Sequence, residues 1–192
     1  MRLAQNGALD ILMDFVSKRP RGALAPVYAD LWYLYKTVRT TKPRAILEFG
    51  SGCSTAILAK ALSDNKEGFL YSVDSSCDWA DSTADAIPSF LKRFFEISYC
   101  PITVEISQND LRLIRHQEIP TVVPNLVFLD GPPLAAGEVA VDLLEMEDCF
   151  PPGFVLMIDK RNENTEFLRR RLKRNYAFSK KRNLSLFVLK SS

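Results

Sequence analysis

The sequence predicts an α/β fold: a mostly parallel, doubly wound seven-stranded sheet with helices on both faces and a closing antiparallel hairpin. Three observations predict it. From residue 45 onward, short apolar runs of strand length alternate with helical segments. A glycine turn, Gly50-Ser51-Gly52, stands between one such run and the helix that follows. Carboxylates then recur just past the apolar runs, at Asp74, Asp130 and Asp159, where ligands sit in open parallel sheets.

In chain order, residues 3–16 read as a helix, with Leu3, Leu9, Leu12, Met13 and Val16 near one face, and residues 18–22 break it. Val27–Val38 is a second helix rich in aromatic residues (Tyr28, Trp32, Tyr33, Tyr35). Ala45–Phe49 is the first strand, and Ser54 or Thr55 can cap the helix Thr55–Leu62. Phe69–Val73 is the second strand. Trp79–Ile97 reads as mostly helical, kinked or split at Pro88. Ile102–Ile106 is the expected third strand, with Gln108–Ile114 as loop and short helix. Leu126–Leu129 and Phe154–Ile158 are the fourth and fifth strands, separated by a helix over Ala135–Asp148. Thr165–Asn175 is the last helix. Tyr176–Ser179 and Leu184–Leu189 close the chain as a hairpin turning at Lys180–Asn183, which adds an antiparallel strand at the sheet edge.

A chain of 192 residues is most simply one domain, and 47% hydrophobic residues suffice for a sizeable core. The four cysteines (Cys53, Cys77, Cys100, Cys149) form no C-x-x-C pair, so reduced thiols and a cytoplasmic location are expected. Asp10 and Asp14 interrupt the N-terminal apolar run, which argues against a signal peptide. No apolar run reaches the ~18 residues of a membrane span, so no membrane partner is expected. The sequence leaves a homo-oligomer open.

Charge is uneven. Residues 160–192 carry 11 Lys/Arg against 2 Asp/Glu, a balance of +9, whereas residues 1–159 carry 14 against 21, a balance of −7. Arg169, Arg170, Arg171, Lys173, Arg174, Lys180, Lys181 and Arg182 could attract an anionic partner, nucleic acid included. A solvated face is the favoured reading, since three consecutive arginines spread around a helix rather than lining one side.

The dinucleotide-binding fingerprint needs glycine at its first, third and sixth positions. Gly50 and Gly52 fit, but the sixth position is Thr55, which disfavours NAD. The pattern Glu48-x-Gly50-x-Gly52-x-Ser54 instead resembles the first motif of class I S-adenosylmethionine-dependent methyltransferases, with Ser54 where the family prefers a third glycine. Asp74 lies 24 residues after Gly50, near the spacing of a carboxylate that accepts hydrogen bonds from a ribose diol. With the segment Leu126–Gly131 and the closing hairpin, the resemblance spans roughly residues 24–190 and leans to the small-molecule O-methyltransferase branch.

The resemblance implies a Rossmann-like core over residues 45–192 and N-terminal helices over residues 1–44 covering the acceptor side. It implies S-adenosylmethionine (SAM) as cofactor, held by Glu48, Gly50, Ser51, Gly52, Ser54, Thr55, Asp74, Ser75 and Asp130, with Asn109 or Asp110 at the adenine. Trp79 could lie against the adenine, or serve in the core or at a helix start. It further implies methyl transfer to a small-molecule acceptor at oxygen. Metal-dependent members of the branch give Asp130 and Asp159 the role of ligands for a divalent cation such as Mg2+. In this chain Lys160 replaces the branch's Asn after the second carboxylate, and no lysine base occurs within Gly131–Ala135. Asp130, Asp159 and Lys160 are therefore the catalytic candidates, Lys160 as a base if burial lowers its pKa. His116, in the polar stretch Arg115–Glu118, is expected to be exposed and non-catalytic. A non-catalytic SAM-binding protein and an RNA methyltransferase are the alternatives.

Overall fold

The alternation that starts at Ala45 builds one seven-stranded sheet. In spatial order its strands are Phe95–Tyr99 (β3), Phe69–Asp74 (β2), Ala45–Phe49 (β1), Leu126–Leu129 (β6), Val155–Asp159 (β8), Leu184–Leu189 (β10) and Tyr176–Lys181 (β9). The structure, a computed structural model, describes residues 6–19 and 23–190. The expected helical position Leu3 and residues 20–22 of the expected break lie outside them.

Strands β3, β2, β1, β6 and β8 are mutually parallel, and β10 runs antiparallel to both β8 and β9. The antiparallel strand is thus the penultimate one, with β9 at the edge. β1 and β6 are buried on both faces, as central parallel strands are, and apolar apart from Glu48 in β1. Side chains alternate between two cores. Ile46, Phe128 and Met157 face helices Ala8–Lys18 (α1), Tyr28–Thr41 (α2) and Cys53–Asn65 (α3). Leu47, Phe49, Val127, Leu129 and Leu156 face the other way, toward Leu143 of helix Asp142–Met146 (α5) and Leu168 of helix Asn162–Arg171 (α6). Helices α1 and α2 both pack on α3.

The third strand corrects the sequence reading. Helix Cys77–Ala86 (α4) ends before Pro88, whose ring cannot continue it. A 3-10 stretch, Ser89–Phe94, follows, and Phe95–Tyr99 then pairs in parallel with β2. Ile102–Ile106 (β4), the expected third strand, joins a separate three-stranded sheet with Arg112–His116 (β5) and Glu138–Ala140 (β7). Gln108–Ile114 therefore holds a turn and a strand rather than a short helix.

The expected helix over Ala135–Asp148 shrinks to α5 and a 3-10 turn, Glu147–Cys149. Gly137, at φ +77°, turns the chain into β7. There the Asn164 side chain takes both main-chain groups of Ala140, accepting its N–H at 2.7 Å and donating to its carbonyl at 3.1 Å.

Registers place the functional end of the sheet. Phe49 pairs with both Val73 and Leu129, and Leu129 pairs with Ile158. The next residue in each strand direction is Gly50, Asp74, Asp130 or Asp159, so these four come to one edge from sequence positions far apart.

Candidate functional site

The turn after β1 is fixed from behind. Glu48 is fully buried, and its Oε2 accepts hydrogen bonds from Thr55 Oγ1 at 2.6 Å and Ser72 Oγ at 2.7 Å. Thr55 Oγ1 in turn accepts the Gly52 N–H at 2.8 Å. The turn is thereby locked before α3 begins. Burial pushes the Glu48 carboxyl up to about 7, against the opposing effect of these hydroxyl donors.

Gly50 has φ +91°, and a Cβ on it would lie 2.5 Å from the main-chain nitrogen of Gly131. A Cβ on Gly131 would meet Gly50 Cα at 2.5 Å. The two loops after β1 and β6 touch backbone to backbone, which only paired glycines permit.

Asp74 anchors the other side. Its Oδ2 accepts the Ser51 N–H and the Ser51 hydroxyl, each at 2.8 Å, and its Oδ1 accepts the Ser76 N–H at 3.0 Å. The Trp79 indole N–H donates to the Ser51 carbonyl at 2.7 Å, standing its ring beside the turn.

These loops open on a cavity of about 520 Å3, within the range of small-molecule and cofactor sites. Gly50, Ser51, Gly52, Ser54, Asp74, Ser75 and Asp130 line it, with Trp79. Open space lies where a Cβ on Gly52 would stand, so the main chain there is free to approach a ligand. Glu48 and Thr55 stand behind this wall and hold it in shape. Asn109 and Asp110 do neither. They occupy the turn between β4 and β5, where the Ser107 hydroxyl accepts the Leu111 N–H at 3.1 Å. They miss the cavity because the loop after the true third strand begins at Cys100, whose N–H donates to the Asp74 carbonyl at 2.8 Å.

The opposite wall comes from the N-terminal helices: Phe15 and Arg19, then Val27, Asp30, Leu31 and Leu34 along one face of α2. Arg19 is the one arginine lining the cavity among the described residues, and its Nη1 donates to the Leu24 carbonyl at 2.6 Å. Arg19 and Asp30 were invisible to the sequence reading, because nothing local in either helix says which residues face a strand end.

Asp130, Asp159 and Lys160 line the same cavity. Burial, reinforced by the Asp130 and Asp30 charges, raises Asp159 to about 6. Behind them lies Arg161. Its Nη2 donates to the Asp130 carbonyl and, at 2.6 Å, to the Pro132 carbonyl. Burial lowers its pKa, while Asp130 and Asp159 oppose that.

This arrangement does not fit the divalent cation expected at Asp130 and Asp159. Hard cations take six or more oxygen ligands, and no group of three or more His, Cys, Asp or Glu side chains able to hold an ion occurs among the described residues. A guanidinium already supplies positive charge to both carboxylates. Lys160 is exposed, at φ +53°, and its main-chain N–H donates to the Asn183 carbonyl at 2.9 Å.

His116 also departs from expectation. Its side chain is fully buried beneath Phe49, with Nδ1 3.2 Å from Asp142 Oδ2, and the His116 main-chain N–H donates to Asp142 Oδ1 at 2.8 Å. β5, a strand the sequence reading missed, carries it inward. It lies outside the cavity lining. So do the C-terminal basic residues, several of which are engaged locally: Arg174 on the Glu147 and Phe150 carbonyls, Arg169 over Phe178, and Lys181 over Tyr33. No described helix is long and apolar enough to cross a membrane.

No protein-family model matches the chain, and no curated protein matches it in sequence. Solved structures do match. The O-methyltransferase TomG from Streptomyces achromogenes, in complex with SAM, superposes with a TM-score of 0.63 at 18% identity, over 96% of this chain and 90% of that one. The O-methyltransferase from Bacillus cereus, in complex with S-adenosylhomocysteine (SAH), gives 0.57 at 16% identity, over 96% and 91%. The SAH-bound methyltransferase of Podospora anserina gives 0.63 at 11% identity, over 97% and 88%. Across nearly its whole length, this chain has the fold of these SAM-dependent methyltransferases.

Proposed function

We propose that this chain is a SAM-dependent methyltransferase acting on a small-molecule acceptor at oxygen. One observation carries the reading: the Gly50–Gly52 turn, Asp74 and Asp130 surround a single cavity whose remaining wall is the N-terminal helices. The names of the solved relatives support oxygen as the acceptor atom.

SAM, when bound, supplies a methyl group activated on a sulfonium. The protein's contribution is alignment and exclusion of water. Asp74, already oriented by Ser51 and Ser76, keeps one lone-pair site on Oδ1 for a ribose hydroxyl. The main chain of Ser51–Cys53 and the Arg19 guanidinium line the cavity and would hold the cofactor's homocysteine portion, Arg19 at its carboxylate. Phe15, Leu31 and Leu34 make the acceptor end apolar, and Asp159, raised to about 6, is the carboxylate offered to the acceptor hydroxyl as base.

Calorimetric titration with SAM and SAH tests this. Binding of both is expected, with Asp74→Ala weakening each at least about tenfold. Folded protein that takes up neither ligand at millimolar concentration contradicts the proposal.

A further inference from the structure

At the acceptor end, two carboxylates have oxygen atoms that no described residue satisfies. Asp30 is 5% exposed and lies on the cavity face of α2. Its Oδ2 accepts from Asn183 Nδ2 at 2.7 Å, across the turn between β9 and β10, but its Oδ1 is buried without a partner. Asp159, at the end of β8, lines the same cavity, and its Oδ1 is likewise buried and unpartnered. A buried carboxylate oxygen without a donor carries a desolvation cost that the fold does not recover.

The local charges point to what is missing. Among the described residues, the charges around Asp159 are Asp30, Asp130, Lys160 and Arg161, which leaves one negative charge uncompensated. Lys160 is exposed, and Arg161 directs Nη2 at two main-chain carbonyls rather than at either carboxylate. Among the described residues the site thus lacks one positive charge and, although Arg161 Nη1 is itself buried without a partner, donors to the two carboxylate oxygens. A metal ion does not supply them, because these oxygen atoms are not gathered into a metal-binding group. A hydroxyl brings a donor but no charge. A primary ammonium brings both: three donors and one positive charge.

We propose that Asp30 and Asp159 bind a protonated amine of the acceptor, so that the substrate is a hydroxyl compound that also carries a primary ammonium group. This inference rests on the methyl-transfer reading, in which the other end of the cavity holds the cofactor. It makes Asp30, contributed by an N-terminal helix, a specificity-determining residue.

The test is calorimetric titration of SAH-saturated protein with tyramine and with para-ethylphenol, which has the same ring and hydroxyl but no amine. Tyramine is expected to bind at least about tenfold tighter. Asp30→Asn is expected to abolish that preference while SAH and para-ethylphenol affinities stay within about twofold. Asp159→Asn is expected to act in the same direction, so the inference stays testable if one variant misfolds. Equal affinity for the two probes, failure of tyramine to bind at millimolar concentration, or a preference unchanged in the folded variants overturns it. If the wild-type protein does not bind SAH, the methyl-transfer reading fails separately. Tyramine is then titrated alone: an Asp30-dependent preference over para-ethylphenol supports the ammonium site, and its absence overturns it.

Discussion

The Thr55 hydroxyl donates to Glu48 Oε2 at 2.6 Å while accepting the Gly52 N–H at 2.8 Å. One side chain thereby ties the last turn of a buried strand to the first turn of a helix. Thr55→Val keeps the shape and removes both bonds. It leaves the Gly52 N–H and one Glu48 oxygen short of partners, at a cost of about 1–3 kcal/mol in urea denaturation. SAH affinity is expected to fall as well, since the turn loses its fixed form. Unchanged stability and affinity would show that the relay does not hold the turn.

The buried Glu48 carboxyl gives stability a definite pH dependence. Its value rises from 4.5 in the unfolded chain to about 7 in the fold. Between these values the folded protein keeps a proton that the unfolded chain has lost. Its contribution is therefore fully present below about 4.5 and is lost as pH rises toward 7. Asp159, raised from 3.8 to about 6, acts with the same sign over a lower window. Glu48→Gln removes the Glu48 share. The Tm difference between wild type and Glu48→Gln should shift against the wild type from pH 5 to pH 7 and stay level above that. A difference independent of pH would contradict the assignment.

The contact between Gly50 and Gly131 leaves no room for side chains. Gly131→Ala would drive a Cβ to 2.5 Å from Gly50 Cα, forcing the loops after β1 and β6 apart. A loss of about 2–4 kcal/mol is expected from overpacking, larger than for alanine at Gly153, which has open space around it despite its positive φ. Chemical denaturation of the two variants side by side checks the order.

Arg161 sets the metal response. With a guanidinium beside Asp130 and Asp159, Mg2+ should not raise the wild-type Tm, and chelation should leave SAH affinity unchanged. Arg161→Gln removes donors to the Asp130 and Pro132 carbonyls and uncovers two carboxylates, for a loss of about 2–4 kcal/mol. A rise of several degrees in wild-type Tm with Mg2+ would refute the view that Arg161 fills the cation's place.

Much of this was legible in the residues. β1, β6 and β8 are short, mostly apolar runs, and Gly50, Asp130 and Asp159 stand at their ends, so both the sheet and its functional edge could be read directly. Phe95–Tyr99 could not be, because Trp79–Ile97 reads as helix and only the tertiary pairing with Leu70–Asp74 makes its last residues a strand. That displacement carried Asn109 and Asp110 out of the site. Ile102–Ile106 has strand chemistry, and strand chemistry does not say which sheet a strand joins. Arg161, Arg19 and Asp30 were hidden for a related reason: each acquires its role from a loop or helix brought alongside by packing, across distances the local pattern does not record. His116 looked exposed among charged neighbours, yet alternation along β5 turns it inward while Arg115 faces Glu105 and Glu145.

The most direct test is a structure determined with SAH bound. The account predicts a ribose hydroxyl on Asp74, the homocysteine portion against Ser51–Cys53, and the sulfur turned toward the Asp30 and Asp159 end of the cavity. SAH bound elsewhere, or in this cavity with Asp74 away from the ribose, would contradict it.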